Sequence, residues 1–341
     1  MGLITMLGQS LSAPRSLSDA GFPTQLDPAT HVRHALHSPE RDWPQTNCYV
    51  DLWIELIAAL GFAPEAMLGF TLRQDFEGDQ FTFFKPPLAD LERLYGLRVD
   101  ELALYDRIET HVEMQLARGR AALIEVDGFY LPDTRGVTYR LEHSKTTIAI
   151  TRFDVASSQL DYFHNDGFFT LADDDFDGVL GRLPGQRRED TLFPYAEFAR
   201  VDARFAETGE TREIAGALLR FHFARRPLRN PMRRFAEDFA PLWRMIEERP
   251  AGFFHAFAFN TLRQCGANFE LLASHLDWLA PNGGFQEQAA EARFLSASSK
   301  ALQFHVARAA SRRRAFDPSA QLEHMACAYD RLFAGLAQHF A

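Results

Sequence analysis

The sequence predicts an α+β chain: a helical start, an antiparallel sheet in the middle and a mainly helical second half. Three observations predict it. Apolar residues recur at helical spacing between 47 and 118. β-Branched and alternating runs crowd into 121–172. From about residue 174 onward helix-period stretches dominate. The 341 residues, 46% hydrophobic and 24% charged, can bury a sizeable core as one large domain or two. The expected division is an N-terminal arm over 1–43, a domain of helices and antiparallel sheet over 44–200 and a mainly helical C-terminal domain over 201–341.

In chain order, residues 1–43 scatter Pro, Ser, Asp and His without periodicity and read as an arm. A helix is expected over 47–60, with Leu52, Trp53, Leu56, Ile57 and Leu60 on one stripe, Asn47 as N-cap and Gly61 at its end. A short helix over 64–72 opens on Pro64. The aromatic run 80–85 reads as a strand, ended by Pro86 and Pro87. Helices follow over 88–95 and 101–118. Strands are expected over 121–127, 142–153 and 160–165, separated by turns at 131–134 and 154–159. The helical stretches 213–224, 231–248, 253–279, 285–298 and 299–314 complete the reading, with Pro281-Asn282-Gly283-Gly284 as a break.

The formal net charge of −10 argues against a general nucleic-acid binder. Cys48, Cys265 and Cys327 are odd in number and far apart, which fits a reducing cytoplasm better than a disulfide framework or a zinc site. The first residues lack a signal peptide's cationic region, and no apolar run reaches membrane-spanning length. No metalloprotease, phosphate-loop or dinucleotide motif is present, so neither a metal nor a cofactor on this chain is expected. The 31 phenylalanines point to aromatic-rich cores and an apolar ligand groove.

Cys48 falls at the first turn of the 47–60 helix, where unpaired N–H groups and the helix dipole favour a thiolate. The bland reading is a small buried cysteine that starts a core helix. A nucleophilic cysteine needs a base, and the base needs an orienting group. His143 opens one expected strand and Asn165 ends the next, an order of cysteine, histidine and polar partner that matches papain-like enzymes. Asp161, on the same strand face as Asn165, is the second choice for orienter. Gln45 is placed to donate to an oxyanion together with the Cys48 N–H. Asp127, at the end of its strand, is a candidate for the pocket. A surface histidine, and turn chemistry for Asn165-Asp166-Gly167, are the plain alternatives.

The stretches N-C-Y-V-D-L-W-I-E-L-I at 47–57, V-D-G-F-Y-L-P-D-T at 126–134 and Y-R-L-E-H-S-K-T-T-I-A-I at 139–150, followed by L-D-Y-F-H-N, resemble the papain-like acyltransferase domain typified by butirosin biosynthesis. The pattern is more similar still to a bacterial family of unassigned function encoded beside aminoacyl-carrier-protein ligases. The resemblance covers roughly 40–170, with Asn165 standing where that domain usually has aspartate. It implies a papain-like domain of helices and an antiparallel half-barrel sheet. It further implies transfer of an aminoacyl group from a phosphopantetheine thioester on a small carrier protein, through an acyl-cysteine, to an amine acceptor. Asp127 and Tyr130 would then border the substrate. Proteolysis or amide hydrolysis by the same residues, and a non-catalytic carrier-binding module, are the other outcomes. An acidic carrier would need a basic patch on this acidic chain, for which Arg225, Arg226, Arg229, Arg233, Arg234 and the trio Arg312, Arg313 and Arg314 are candidates; internal salt bridges are the alternative.

Overall fold

A computed structural model describes residues 22, 26–186, 193–250 and 252–340. Most of the expected arm at 1–25, including the N-terminal stretch read for a signal peptide, lies outside them. The architecture is α+β, with a mostly helical C-terminal part.

Helix α1 spans Cys48–Ala59 and is the pivot of the N-terminal half. Asn47 caps it, its Oδ1 accepting the Val50 N–H at 3.0 Å. Burial is not confined to the expected stripe: every residue from Tyr49 to Ile57 is buried, Asp51 and Glu55 included. The chain before α1 makes this possible. Glu55 accepts from His31 Nε2 at 2.8 Å, from the His34 N–H at 3.0 Å and from His37 Nδ1, while Asp51 accepts the Thr46 N–H at 2.7 Å. Two carboxylates thus enter the interior fully bonded, and residues 31–46 pack as a wall of the domain.

Beyond α1, the expected helix at 64–72 is a 3₁₀ run over Pro64–Arg73. The expected strand at 80–85 shrinks to a single bridge between Phe76 and Phe81, because these rings pack on Phe235 of the C-terminal helices and not in the sheet. Helix α2 is Leu88–Tyr95. The expected helix over 101–118 divides: Leu97–Glu101 is strand β1, and α3 begins only at Ile108 and ends at Leu116. Alternation through Leu97, Arg98, Val99 and Asp100 is the signal for that strand.

The sheet continues with β2 (Ala121–Asp127), β3 (Lys145–Asp154), β4 (Gln159–His164), β5 (Gly167–Ala172) and, after α4 (Asp173–Val179), β6 (Ala196–Val201), a strand outside the sequence-based expectations. Its order is β1-β6-β2-β3-β4-β5 and its described pairs are antiparallel. One face, with Leu123, Ala149 and Phe163, packs on α1. The other, with Ile124, Ile148 and Tyr162, packs against α3 and α4.

The C-terminal helices are α5 (Thr211–Phe223), α6 (Pro231–Glu248), α7 (Phe253–Ala258), α8 (Gln264–Leu279), α9 (Gln286–Arg312) and α10 (Ser319–Phe340). A π-helical turn, Phe259–Arg263, joins α7 to α8. The two helices expected over 285–314 are one, since no breaker separates them, and α10 is added by Leu322, Met325, Tyr329, Leu332 and Leu336 at helical spacing. These helices share a core that also takes in Leu72, Phe76 and Phe81. Leu218 of α5 and Leu271 of α8 belong instead to the core around α1. The two halves interlock. No described helix is long and apolar enough to cross a membrane.

Candidate active site

Cys48 is the first residue of α1 and is partly exposed. Two bonds bracket it. Three residues before it, Gln45 Nε2 donates to Asp166 Oδ1 at 3.0 Å, in the two-residue turn between β4 and β5. One residue after it, the Tyr49 hydroxyl donates to Glu197 Oε2 at 2.9 Å, at the start of β6. In the strand order, the end of β2 and the start of β3 lie between those anchors. Between them in the sheet, β2 ends at Asp127, opposite Lys145, the first residue of β3.

At that edge His143 Nδ1 lies 2.5 Å from Asp127 Oδ2. Asp127 is held in turn, its Oδ1 accepting the Phe129 N–H at 3.0 Å and the Ser144 N–H at 3.2 Å. The phase of β2, in which Leu123 faces α1, puts Asp127 on the helix side of the sheet. The imidazole stacks on Phe129, centroids 4.5 Å apart and planes within 15°. Its side chain is 69% exposed, and among the described residues no side-chain hydrogen bond joins it to Cys48. The carboxylate engages one ring nitrogen and leaves Nε2 able to carry a proton, the arrangement by which an acid orients a base.

The other expected residues fall elsewhere. Asn165 occupies the β4–β5 turn in a left-handed conformation, φ 46°, a position asparagine tolerates. Asp161 lies three residues back along β4 from His164, roughly 10 Å from the edge. It is bound by both Arg152 Nε (2.5 Å) and Nη2 (2.9 Å) and by the Thr170 hydroxyl (2.7 Å). His143 thus takes Asp127 as its ring partner, and neither Asn165 nor Asp161. Gln45 spends its amide N–H on Asp166. Tyr130 is buried under α4, against Gly178. Of the basic island, Arg229 pairs with Glu237 (3.0 Å), Arg233 with Glu323 and Asp330 (2.9 Å each), and Arg234 with Asp75 (3.1 Å). Arg226 lies over the Phe223 ring and donates to its carbonyl. The internal ion pairs absorb most of that patch. Arg225 lies over the Phe221 ring, and Arg312, Arg313 and Arg314 are exposed.

A second hydroxyl–imidazole–carboxylate chain has no counterpart among the expected residues. Thr146 Oγ1 is 2.7 Å from His164 Nε2, and His164 Nδ1 is 2.6 Å from Asp133 Oδ2, which belongs to the carboxylate that also serves the Tyr162 hydroxyl. His164 is 1% exposed and lies on the sheet face away from α1. Its bonding is complete and it reads as a structural network.

Two clefts stand out among the described residues. The larger, about 310 Å³, lies between α8 and α9; its Arg41 faces Glu270 at 3.5 Å and its Arg293 pairs with Asp277 at 2.9 Å. The smaller, about 230 Å³, is lined by residues between 70 and 87, and Phe84 and Lys85 among them touch the neighbours of Cys48 in the chain. The carbonyl of its Phe84 accepts Asn47 Nδ2 at 3.0 Å, and the amine of its Lys85 sits 4.4 Å above the Tyr49 ring. The segment before Cys48 is also gripped from the C-terminal half. Arg263 of the π turn donates to the carbonyls of Thr46 (3.1 Å) and Gln45 (2.8 Å), and Trp43 lies against Gly266 of α8 with its indole N–H on Ser296 of α9.

The model of the DUF1839 N-terminal domain matches residues 32–201, and that of the DUF1839 C-terminal domain matches 208–338. The chain carries both domains of the DUF1839 family in order, and the family boundary at 201–208 falls in the link between β6 and α5. No curated protein matches the chain.

Proposed function

We propose that the protein is a cysteine-dependent acyltransferase that takes an aminoacyl group from a phosphopantetheine thioester on a small acidic carrier protein and passes it to an amine. The observation that carries this reading is a partly exposed cysteine at the N-terminus of a buried, capped helix whose flanking residues are tied to the sheet that also carries a histidine held by a carboxylate. The resemblance to the butirosin-type acyltransferases supplies the donor.

In this mechanism Cys48 Sγ, as the thiolate, attacks the thioester carbonyl. The Cys48–acyl bond forms, the bond to the pantetheine sulfur breaks, and His143 gives that sulfur its proton. The amine then attacks acyl-Cys48, losing its proton to His143 while Cys48 leaves as thiolate. The N-terminal N–H groups of α1 face the charge that develops on the carbonyl oxygen. Asp127 keeps the imidazole oriented through both steps. The three unpaired cysteines fit a cytoplasmic setting.

The test is intact mass after mixing with a carrier loaded with an aminoacyl thioester. A mass gain that Cys48→Ala abolishes supports the reading. No gain, with Cys48 also slow towards iodoacetamide, removes the nucleophile and favours a binding module. Gain from amides and peptides as readily as from the carrier favours hydrolysis.

A further inference from the structure

The smaller cleft has three properties not explained by folding. Its cations lack carboxylate partners: Arg73 and Lys85 are both exposed and neither makes an ion pair among the described residues, in a chain of net charge −10. Its wall is aromatic, built from Phe70, Phe83 and Phe84. Its floor holds an orphan acceptor. Gln74 is 5% exposed, and its Nε2 donates to the carbonyls of Thr82 (3.3 Å) and Gln264 (3.0 Å). Both partners are acceptors, so the amide cannot be turned round, and Oε1 is left buried without a donor among the described residues. A buried carbonyl-type oxygen without a partner is costly unless something supplies an N–H or O–H. The larger cleft differs, since its cations already face its own carboxylates and its orphaned buried atoms are donors, Nε and Nη2 of Arg41.

We infer that this cleft binds the donor arm itself, a 4′-phosphopantetheine chain: the phosphate between Arg73 and Lys85, the dimethyl-bearing carbon stem on the phenylalanine wall, and an amide N–H on Gln74 Oε1. This rests on the acyl-transfer reading and extends it. The cleft meets the site at the residues on either side of the nucleophile, through Phe84 on Asn47 and Lys85 on Tyr49. An arm lying along it delivers its sulfur end to Cys48. Coenzyme A and a carrier protein present the same arm, and the site reads what they share.

The experiment measures binding calorimetrically with free 4′-phosphopantetheine and with pantetheine, on the whole protein. The expected result is at least tenfold weaker binding without the phosphate. Arg73→Gln and Lys85→Gln should each weaken the phosphorylated probe several-fold and leave the weak binding of pantetheine unchanged, with circular dichroism confirming the fold. Equal affinity for the two probes, or wild-type affinity in both variants, overturns the inference. Coenzyme A and a loaded carrier are then compared as competitors. Tighter competition by the carrier identifies the tethered arm, and equal competition identifies the coenzyme. Failure of the acyl-transfer reading shows separately, with an N-acetylcysteamine aminoacyl thioester, which lacks the phosphate. Acyl-Cys48 formed from it beside phosphate-indifferent binding removes the cleft's role and keeps the enzyme. Phosphate-dependent binding with no acyl-Cys48 from any thioester keeps the cleft and removes the enzyme.

Discussion

Raising the pH from 6 to 9 should weaken the fold by about 3 kcal/mol through one histidine. His37 is 0% exposed, bonded to Glu55 and 3.3 Å from Asp51 Oδ1. Burial alone would lower its pKa; the two carboxylates outweigh burial and raise it from 6.5 to about 9. At about 1.36 kcal/mol per unit, that shift is worth about 3 kcal/mol. The folded-state pKa is the higher one, so the stabilisation is complete below pH 6.5 and is lost as the pH rises to about 9. Glu55 works in the opposite window. Burial would raise its pKa, but bonds from His31 and His37 hold it at about 2, so its contribution is present above pH 4.5 and fades only in acid. Urea unfolding at half-unit steps of pH, followed by tryptophan fluorescence, reads the effect. Glu55→Gln should flatten the decline between pH 6.5 and 9, though it lowers stability throughout. A level wild-type profile across that window, or the same slope in the variant, would refute the account.

Other outcomes follow from the same geometry. Asp127→Ala should lower acyl transfer about 10²-fold or more by freeing the imidazole, with Asp127→Asn retaining part of the activity and steady-state rates as the readout. Gly178→Ala would place a Cβ 2.1 Å from Tyr130 Cδ1; about 1–3 kcal/mol of overpacking should appear as a lower melting temperature. Gly266→Ala puts a Cβ 2.4 Å from the Trp43 ring and should both destabilise the protein and slow iodoacetamide at Cys48, measured by mass. Arg233→Ala breaks only exposed ion pairs and should change stability by less than about 1 kcal/mol and leave carrier-dependent transfer intact.

What can be read from the residues depends on how local the determining contact is. The apolar period of 52–57, the Asn47 cap and the place of Cys48 at a helix start are local facts, and the structure has them. The burial of Glu55 is not local: its partners are histidines 18 to 24 residues upstream, in a stretch with no periodicity. Chain order points downstream for the partner of His143, to Asn165 or Asp161. The partner lies upstream, because the antiparallel register of β2 and β3 sets Asp127 opposite Lys145. Register across the long connection 128–144 leaves no trace in spacing alone. Strand β6 is hard to foresee because its neighbours in the sheet, β1 and β2, come far earlier in the chain. The cleft lined by Phe70, Phe83 and Phe84 is foreshadowed only by the abundance of phenylalanine.

The π-helical turn at Phe259–Arg263 carries a consequence for anyone engineering this chain. Its wider coil sets the direction from which Arg263 reaches the Gln45 and Thr46 carbonyls. Deleting Asn260 would let α7 and α8 run on as one regular helix, and would rotate everything on one side of the lesion by about 100° relative to the other. The helix would gain regularity, but the core contacts of α7 and the hold of Arg263 and Gly266 on the segment before Cys48 could no longer both be kept. Here an apparent imperfection in one domain is the part that keeps the other in tune, so repairs guided by helical ideality alone would shift the chain that leads into Cys48.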